Sequence, residues 1–191
     1  MSRPLLITVI GKSAKDPADP PSPEALKAAE EVGAHIAGAG AIAVTGGLSG
    51  VMEAVSRGAK RNNGLVLGIL PGLDKRDANR YVDIAITTGM GWMRNTLTVR
   101  AADAVIMISG GIGTLNELTV AYQDKPTVVL ERTGGWADRV RDIAYGGKHL
   151  DESGSAVLHF AATPAEAVDL AIRLATDPTA RPRGAEREFT S

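Results

Sequence analysis

The sequence contains no cysteine. Disulfides, a thiolate nucleophile and zinc–thiolate sites are therefore excluded, and a reducing, cytoplasmic setting is the expectation. Aromatic residues make up 4% of the chain, so a core must be assembled from Ala, Val, Ile and Leu. Neither sign of charge is in excess: 21 Lys and Arg face 22 Asp and Glu, a net charge of −1. Such a balance exerts no overall pull on nucleic acid or an acidic membrane. No apolar run approaches the ~20 residues of a membrane span, and the N-terminal run is too short for a signal peptide. Neither a nucleic-acid nor a membrane partner is expected. The three histidines have no metal-ligand spacing and no HExxH occurs, so no metal and no cofactor are expected. Nothing resembles a nucleophile elbow or a catalytic triad.

The 191 residues suit one domain that buries ~70% of its unfolded surface. That domain is expected over residues 1–176, with a flexible polar tail at 177–191. Short apolar runs at 5–10, 41–44, 65–70, 82–86, 104–108, 127–130 and 157–160 read as strands. Helical patterns separate them. Ser22, Pro23 and Glu24 form an N-cap signature for a helix reaching about Ala37. Further helices are expected at 51–60, 92–101, 114–124, 137–143 and 165–175. This alternation implies an α/β fold: a Rossmann-like, doubly wound parallel sheet of six to seven strands with helices on both faces.

Glycine supplies the functional signal. The stretch 103–118, DAVIMISGGIGTLNEL, is a strand, a glycine turn and a helix in succession. Those are the parts of a phosphate cradle, because free backbone N–H groups and the helix dipole converge there. Glycine turns at residues 11, 45–50, 87–91 and 109–113 all follow strands, so all four belong to the carboxyl edge, where such folds bind ligands. Gly11, Gly46, Gly47, Ser49, Gly89, Gly91, Gly110, Gly111, Gly113 and Thr114 are the candidate phosphate or nucleotide contacts. Gly11-Lys12-Ser13 is not a P-loop, because Leu6 occupies the position where that motif needs glycine. Thr45 stands where the dinucleotide fingerprint G-x-G-x-x-G needs its first glycine. A phosphorylated small molecule is the expected partner.

Four side chains near those turns suit chemistry. Glu117 lies three residues past Thr114, which fits a capping box. It equally fits a carboxylate at the rim of the anion site, where it would contact ribose, orient water or stabilise an oxocarbenium-like centre. Arg94 fits a phosphate clamp or a surface salt bridge. Trp92 fits stacking on a base or plain packing, and Asn95 fits a ligand donor or a helix cap. The polar stretch 73–81 reads as an exposed loop or lid.

The order of motifs resembles that of the LOG ("lonely guy") family, formerly named possible lysine decarboxylases. Residues 109–117, SGGIGTLNE, are similar to its PGGxGTxxE signature. Residues 45–52, TGGLSGVM, are similar to its upstream glycine motif, and Met93-Arg94 falls where the family has M-x-x-R-K. The resemblance spans about residues 5–175 and is strongest to the short bacterial branch similar to molybdenum-cofactor carrier proteins. It implies a homodimer or higher homo-oligomer that hydrolyses the N-glycosidic bond of a nucleoside 5′-monophosphate, giving free base and ribose 5-phosphate. It implies Arg94 and Glu117 as the catalytic pair. Gly110, Gly111, Gly113 and Thr114 match the phosphate loop. Two positions depart from the pattern: Ser109 replaces the signature proline, and Asn95 replaces the lysine. The second departure removes a positive charge, so a non-catalytic carrier or sensor of a phosphorylated pterin or nucleotide is the alternative.

Overall fold

The seven apolar runs become strands, and the central ones bury both faces inside a covered sheet. The computed structural model describes residues 3–182. The strands are β1 (Leu6–Gly11), β2 (Ile42–Thr45), β3 (Val66–Leu70), β4 (Ile84–Thr87), β5 (Ala104–Ile108), β6 (Thr127–Leu130) and β7 (Leu158–Ala161). All are parallel, in the order β4-β3-β2-β1-β5-β6-β7. The chain moves outward from β1 to β4 and then returns to place β5 on the other side of β1. Loops leaving β1 and β5 therefore diverge and open a crevice at the carboxyl edge.

Among the described residues six α-helices complete the fold: α1 (Pro23–Gly38), α2 (Val51–Arg61), α3 (Asn95–Arg100), α4 (Ile112–Asp124), α5 (Val140–Ile143) and α6 (Pro164–Thr176). The Ser22 hydroxyl accepts the Ala25 N–H at 3.1 Å, the cap that the sequence signals. β5 shows how the faces divide. Ala104, Ile106 and Ile108 pack with α1, α2 and α6, while Val105 and Met107 pack with α3 and α4. The second face runs out beyond α3, where Ile84 and Ile86 on the edge strand β4 are exposed.

Three elements depart from the sequence reading. The helix expected over 92–101 divides into a 3-10 turn at Gly91–Arg94 followed by α3. The helix expected over 137–143 becomes a 3-10 turn at Gly135–Asp138 followed by the single-turn α5. Strand β4 starts two residues late because the Asp83 carboxylate accepts the Val66 N–H at 2.9 Å and closes the sheet edge there. Of the expected tail, Pro178–Ala180 form a 3-10 turn capped by the Asp177 carboxylate, and residues 183–191 lie outside the described residues. No helix among the described residues is long and apolar enough to cross a membrane.

Helices α1 and α2 touch through glycine. A Cβ on Gly58 would lie 1.8 Å from the Glu30 carbonyl oxygen, and one on Gly33 would lie 2.0 Å from that of Val55. Both obstacles are backbone, so neither can swing aside. Gly58→Ala is expected to lower stability by about 1–3 kcal/mol through overpacking. Urea unfolding checks this, and an unchanged midpoint would show that the helices do not meet here.

Candidate functional site

A cleft of about 580 Å³ opens at the divergence of β1 and β5. That volume suits a small molecule. Its walls come from residues 11–13 after β1, Gly46 and Leu48 after β2, and residues 111–114 after β5, with Met52, Arg94, Asn95 and Glu117 behind them.

The first turn of α4 forms one wall. The helix begins at Ile112 with Gly111 at its N-cap, and no side chain caps it. The N–H groups of the first turn have no intrahelical acceptor, so they present partial positive charge to the cleft. This start also corrects the capping-box reading. Thr114 lies inside the helix, and Glu117 is in its second turn. The Glu117 carboxylate turns to Arg94 instead, with Nη1 donating to Oε1 at 3.1 Å.

Arg94 reaches the site by an indirect route. The turn after β4 lies three strands away from β1, too far for its glycines to join the cleft. Gly89 and Gly91 accordingly do not line it, and Trp92, 75% exposed, stands outside as well. The 3-10 turn brings the chain back and delivers Arg94, which is 7% exposed. Its Nη1 also donates to Asn95 Oδ1 at 3.0 Å and Thr98 Oγ1 at 3.3 Å. Its Nε is buried without a hydrogen-bond partner. Gly46 makes room for the guanidinium: a Cβ there would sit 2.5 Å from Nη2. Asn95 completes the brace, its Nδ2 donating to Asn116 Oδ1 on α4 at 3.0 Å. It therefore ties α3 to α4 and is engaged at both ends of its amide.

Glu117 and Arg94 form a buried ion pair. Desolvation raises the Glu117 carboxyl from 4.5 to about 7, against the opposing pull of the Arg94 charge and hydrogen bond. A carboxyl poised there can hold or release a proton near neutral pH.

The turn 109–111 is held from behind by a loop in which the sequence reading marked no functional residue. Ser109 has a left-handed backbone, φ 56°, and its N–H donates to Thr133 Oγ1 at 2.8 Å. Proline can supply neither that φ nor an N–H, so this turn excludes proline at residue 109. The Trp136 N–H donates to the Gly110 carbonyl at 3.0 Å and the Ala137 N–H to that of Ser109 at 3.1 Å. A Cβ on Gly135 would lie 2.4 Å from the Gly110 oxygen. Gly110 faces this loop and not the cleft. The only sequence signal for it was the run Thr133-Gly134-Gly135-Trp136.

The other candidates divide similarly. Gly11, Gly46, Gly111, Gly113, Thr114 and Asn95 line the cleft, whereas Gly47 and Ser49 do not. Gly47 and Leu48 are pinned by Asn79, whose Nδ2 donates to their carbonyls at 3.2 and 2.9 Å. The stretch 73–81 thus braces the second glycine turn. The loop after β1, carrying Lys12, Lys15, Asp16 and Asp19, lines the cleft mouth, although none of these four is a site candidate from sequence: Lys12 enters only in the rejected P-loop. Among the described residues no group of His, Asp and Glu could hold a metal ion.

Comparisons with known proteins cover the same ground. The model of the SLOG cluster4 family matches residues 4–168. A cytokinin riboside 5′-monophosphate phosphoribohydrolase of Mycobacterium tuberculosis is 33% identical over 144 residues, which are 67% of this chain and 77% of that protein. The structure of a molybdenum cofactor binding protein from Rippkaea orientalis is similar with a TM-score of 0.78 and 31% identity, covering 92% of this chain and 100% of the other. The molybdenum cofactor carrier protein of Chlamydomonas reinhardtii gives a TM-score of 0.72 at 30% identity, covering 91% and 98%.

The raised Glu117 carboxyl has a consequence for stability. Between pH 4.5 and about 7 the folded chain keeps a proton that the unfolded chain has released. Stability attributable to this group is therefore full below pH 4.5 and falls as pH rises to about 7, by on the order of 3 kcal/mol. Glu117→Gln, which stays neutral and still accepts from Arg94, is expected to flatten that decline. Unfolding of both proteins across pH 4–8 measures it, and parallel curves would contradict the buried carboxyl.

Proposed function

We propose, on the premise that the chain belongs to the SLOG cluster4 family, that it hydrolyses the N-glycosidic bond of a nucleoside 5′-monophosphate. The observation that carries this reading is the buried Arg94–Glu117 pair set beside the uncapped first turn of α4 in one cleft. The α4 N–H groups at residues 112–114 receive the 5′-phosphate. Arg94, which lines the cleft, orients the ribose. The Glu117 carboxylate stabilises the positive charge that develops at C1′ and takes a proton from the attacking water. The C1′–N bond breaks, its electron pair leaves with the base, which takes up the proton that Glu117 received, and the water oxygen joins C1′ to give ribose 5-phosphate. The relatedness to the mycobacterial phosphoribohydrolase supports this assignment.

A second reading is favoured by the charge of the cleft. Lys12, Lys15 and Arg94 are matched by Asp16, Asp19 and Glu117, and Asn95 adds no cation. A site so balanced suits holding a ligand without cleaving it. The molybdenum-cofactor-binding neighbours support a phosphorylated pterin as cargo.

The two readings respond oppositely to pH. Hydrolysis needs ionised Glu117, so its rate is expected to rise with pH and level off above about 7. Holding an anion beside Glu117 favours the protonated acid, so affinity would fall over the same range. A panel of nucleoside 5′-monophosphates, assayed by chromatography for free base, tests the enzyme. Glu117→Ala is expected to reduce release about 10²–10⁴-fold. No base released from any of them, with retained binding of a pterin phosphate, would establish the carrier.

The proposal includes a homodimer. Ile84, Ile86, Met90, Trp92, Met93 and Leu97 are all exposed within one stretch of fourteen residues that follows the uncovered sheet edge. A second copy would bury these side chains. Sedimentation is expected to give twice the 19.8 kDa chain mass, and Ile84→Glu with Leu97→Glu is expected to return it to one. A monomeric wild type would refute the dimer.

A further inference from the structure

The loop after β1 holds a cation that the proposed chemistry leaves unused. The Lys12 ammonium pairs with the Asp19 carboxylate across the cleft mouth, and both residues line the cleft. The two partners are held very differently. The Lys12 side chain is only 18% exposed, whereas that of Asp19 is 72% exposed. The Lys12 backbone is fixed, because its carbonyl accepts the Val51 N–H at 3.0 Å at the start of α2. Gly50 presses against the same segment: a Cβ there would lie 2.6 Å from the Lys12 oxygen. Asp19 instead sits on a surface turn, tied to Asp16 by one backbone hydrogen bond of 3.2 Å.

We infer that Lys12 is an anion-binding residue of the cleft, masked by Asp19 in the empty protein and transferred to the ligand's phosphate on binding. The inference rests on the phosphate-binding reading above and names the ligand class by charge: a phosphate monoester, not an uncharged nucleoside. Three considerations carry it. Arg94 already shares its charge with Glu117 at 3.1 Å, so it contributes little net attraction while Glu117 is ionised. Lys15 lies on the same loop but is exposed, and its charge is screened by solvent. Lys12 is the cleft cation whose counter-ion can leave cheaply, because an ion pair with an exposed carboxylate is worth little. A dianionic phosphate that already contacts the α4 N-terminus offers the ammonium more charge and keeps it desolvated. Asp19 loses little by turning into water. Binding thus exchanges an ion pair within the chain for one with the ligand.

Calorimetric titration of the full chain with adenosine 5′-monophosphate, and separately with inorganic phosphate and adenosine, tests this. Asp19→Asn removes the competitor from an exposed position and is expected to tighten adenosine 5′-monophosphate binding three- to tenfold. Lys12→Met is expected to weaken it at least tenfold, and adding Asp19→Asn to that variant should change nothing further. Adenosine is expected to bind all four proteins alike. Unchanged or weaker binding by Asp19→Asn, or wild-type binding by Lys12→Met, overturns the inference while leaving phosphate binding at α4 in place. A wild type that binds neither phosphate nor adenosine 5′-monophosphate overturns the functional reading and this inference with it.

Discussion

The site depends on one buried ion pair. Arg94 and Glu117 are each almost wholly removed from water and meet at 3.1 Å. Burying two charges costs several kcal/mol per ion unless each is paired and its remaining positions are satisfied. The surroundings are arranged around that demand. Asn95 and Thr98 accept from the guanidinium, Gly46 gives it room, and the Asn95–Asn116 bond holds the two helices at the required spacing. What remains unsatisfied is informative. The Arg94 Nε has no partner, and Glu117 carries a carboxyl raised to about 7. Both mark places where stability is given up at a site facing a cleft.

The sheet order explains why that pair can exist at this place. With β1 central and β5 laid beside it, the turns after β1, β2 and β5 surround one crevice. β4 is at the edge, and the chain must cross back beneath the crevice to reach β5. The 3-10 turn Gly91–Arg94 and α3 are that crossing. Arg94 therefore enters from below while the glycine turns close the sides. The loop 131–138 then fixes the turn 109–111 through backbone hydrogen bonds. The turn's backbone is thereby held in a fixed position beside the cleft.

The chain belongs to the SLOG cluster4 family and is similar to two kinds of protein, a phosphoribohydrolase and molybdenum-cofactor-binding proteins. The two departures from the LOG pattern now have different meanings. Residue 109 has a left-handed backbone and donates its N–H to Thr133, neither of which proline could supply. Asn95 substitutes a neutral amide that accepts from Arg94 and donates to Asn116, so it braces the pair without adding charge.

The strand–helix alternation, the parallel sheet, the Ser22 cap and the glycine turns are legible in the residue order, because periodicity and turn chemistry are local properties. It also marked Arg94 and Glu117, though spacing alone left Glu117 divided between capping and chemistry. The fold removes the capping reading, since the true helix start at Ile112 and the partner 23 residues away are not visible in a four-residue window. It likewise separated the glycines that line the cleft from those at 89 and 91, which follow a strand too far across the sheet. Lys12, Asp19, Asn116 and Thr133 went unmarked for the same reason. Their roles come from contacts between segments distant in the chain, and no local pattern of residues encodes such contacts.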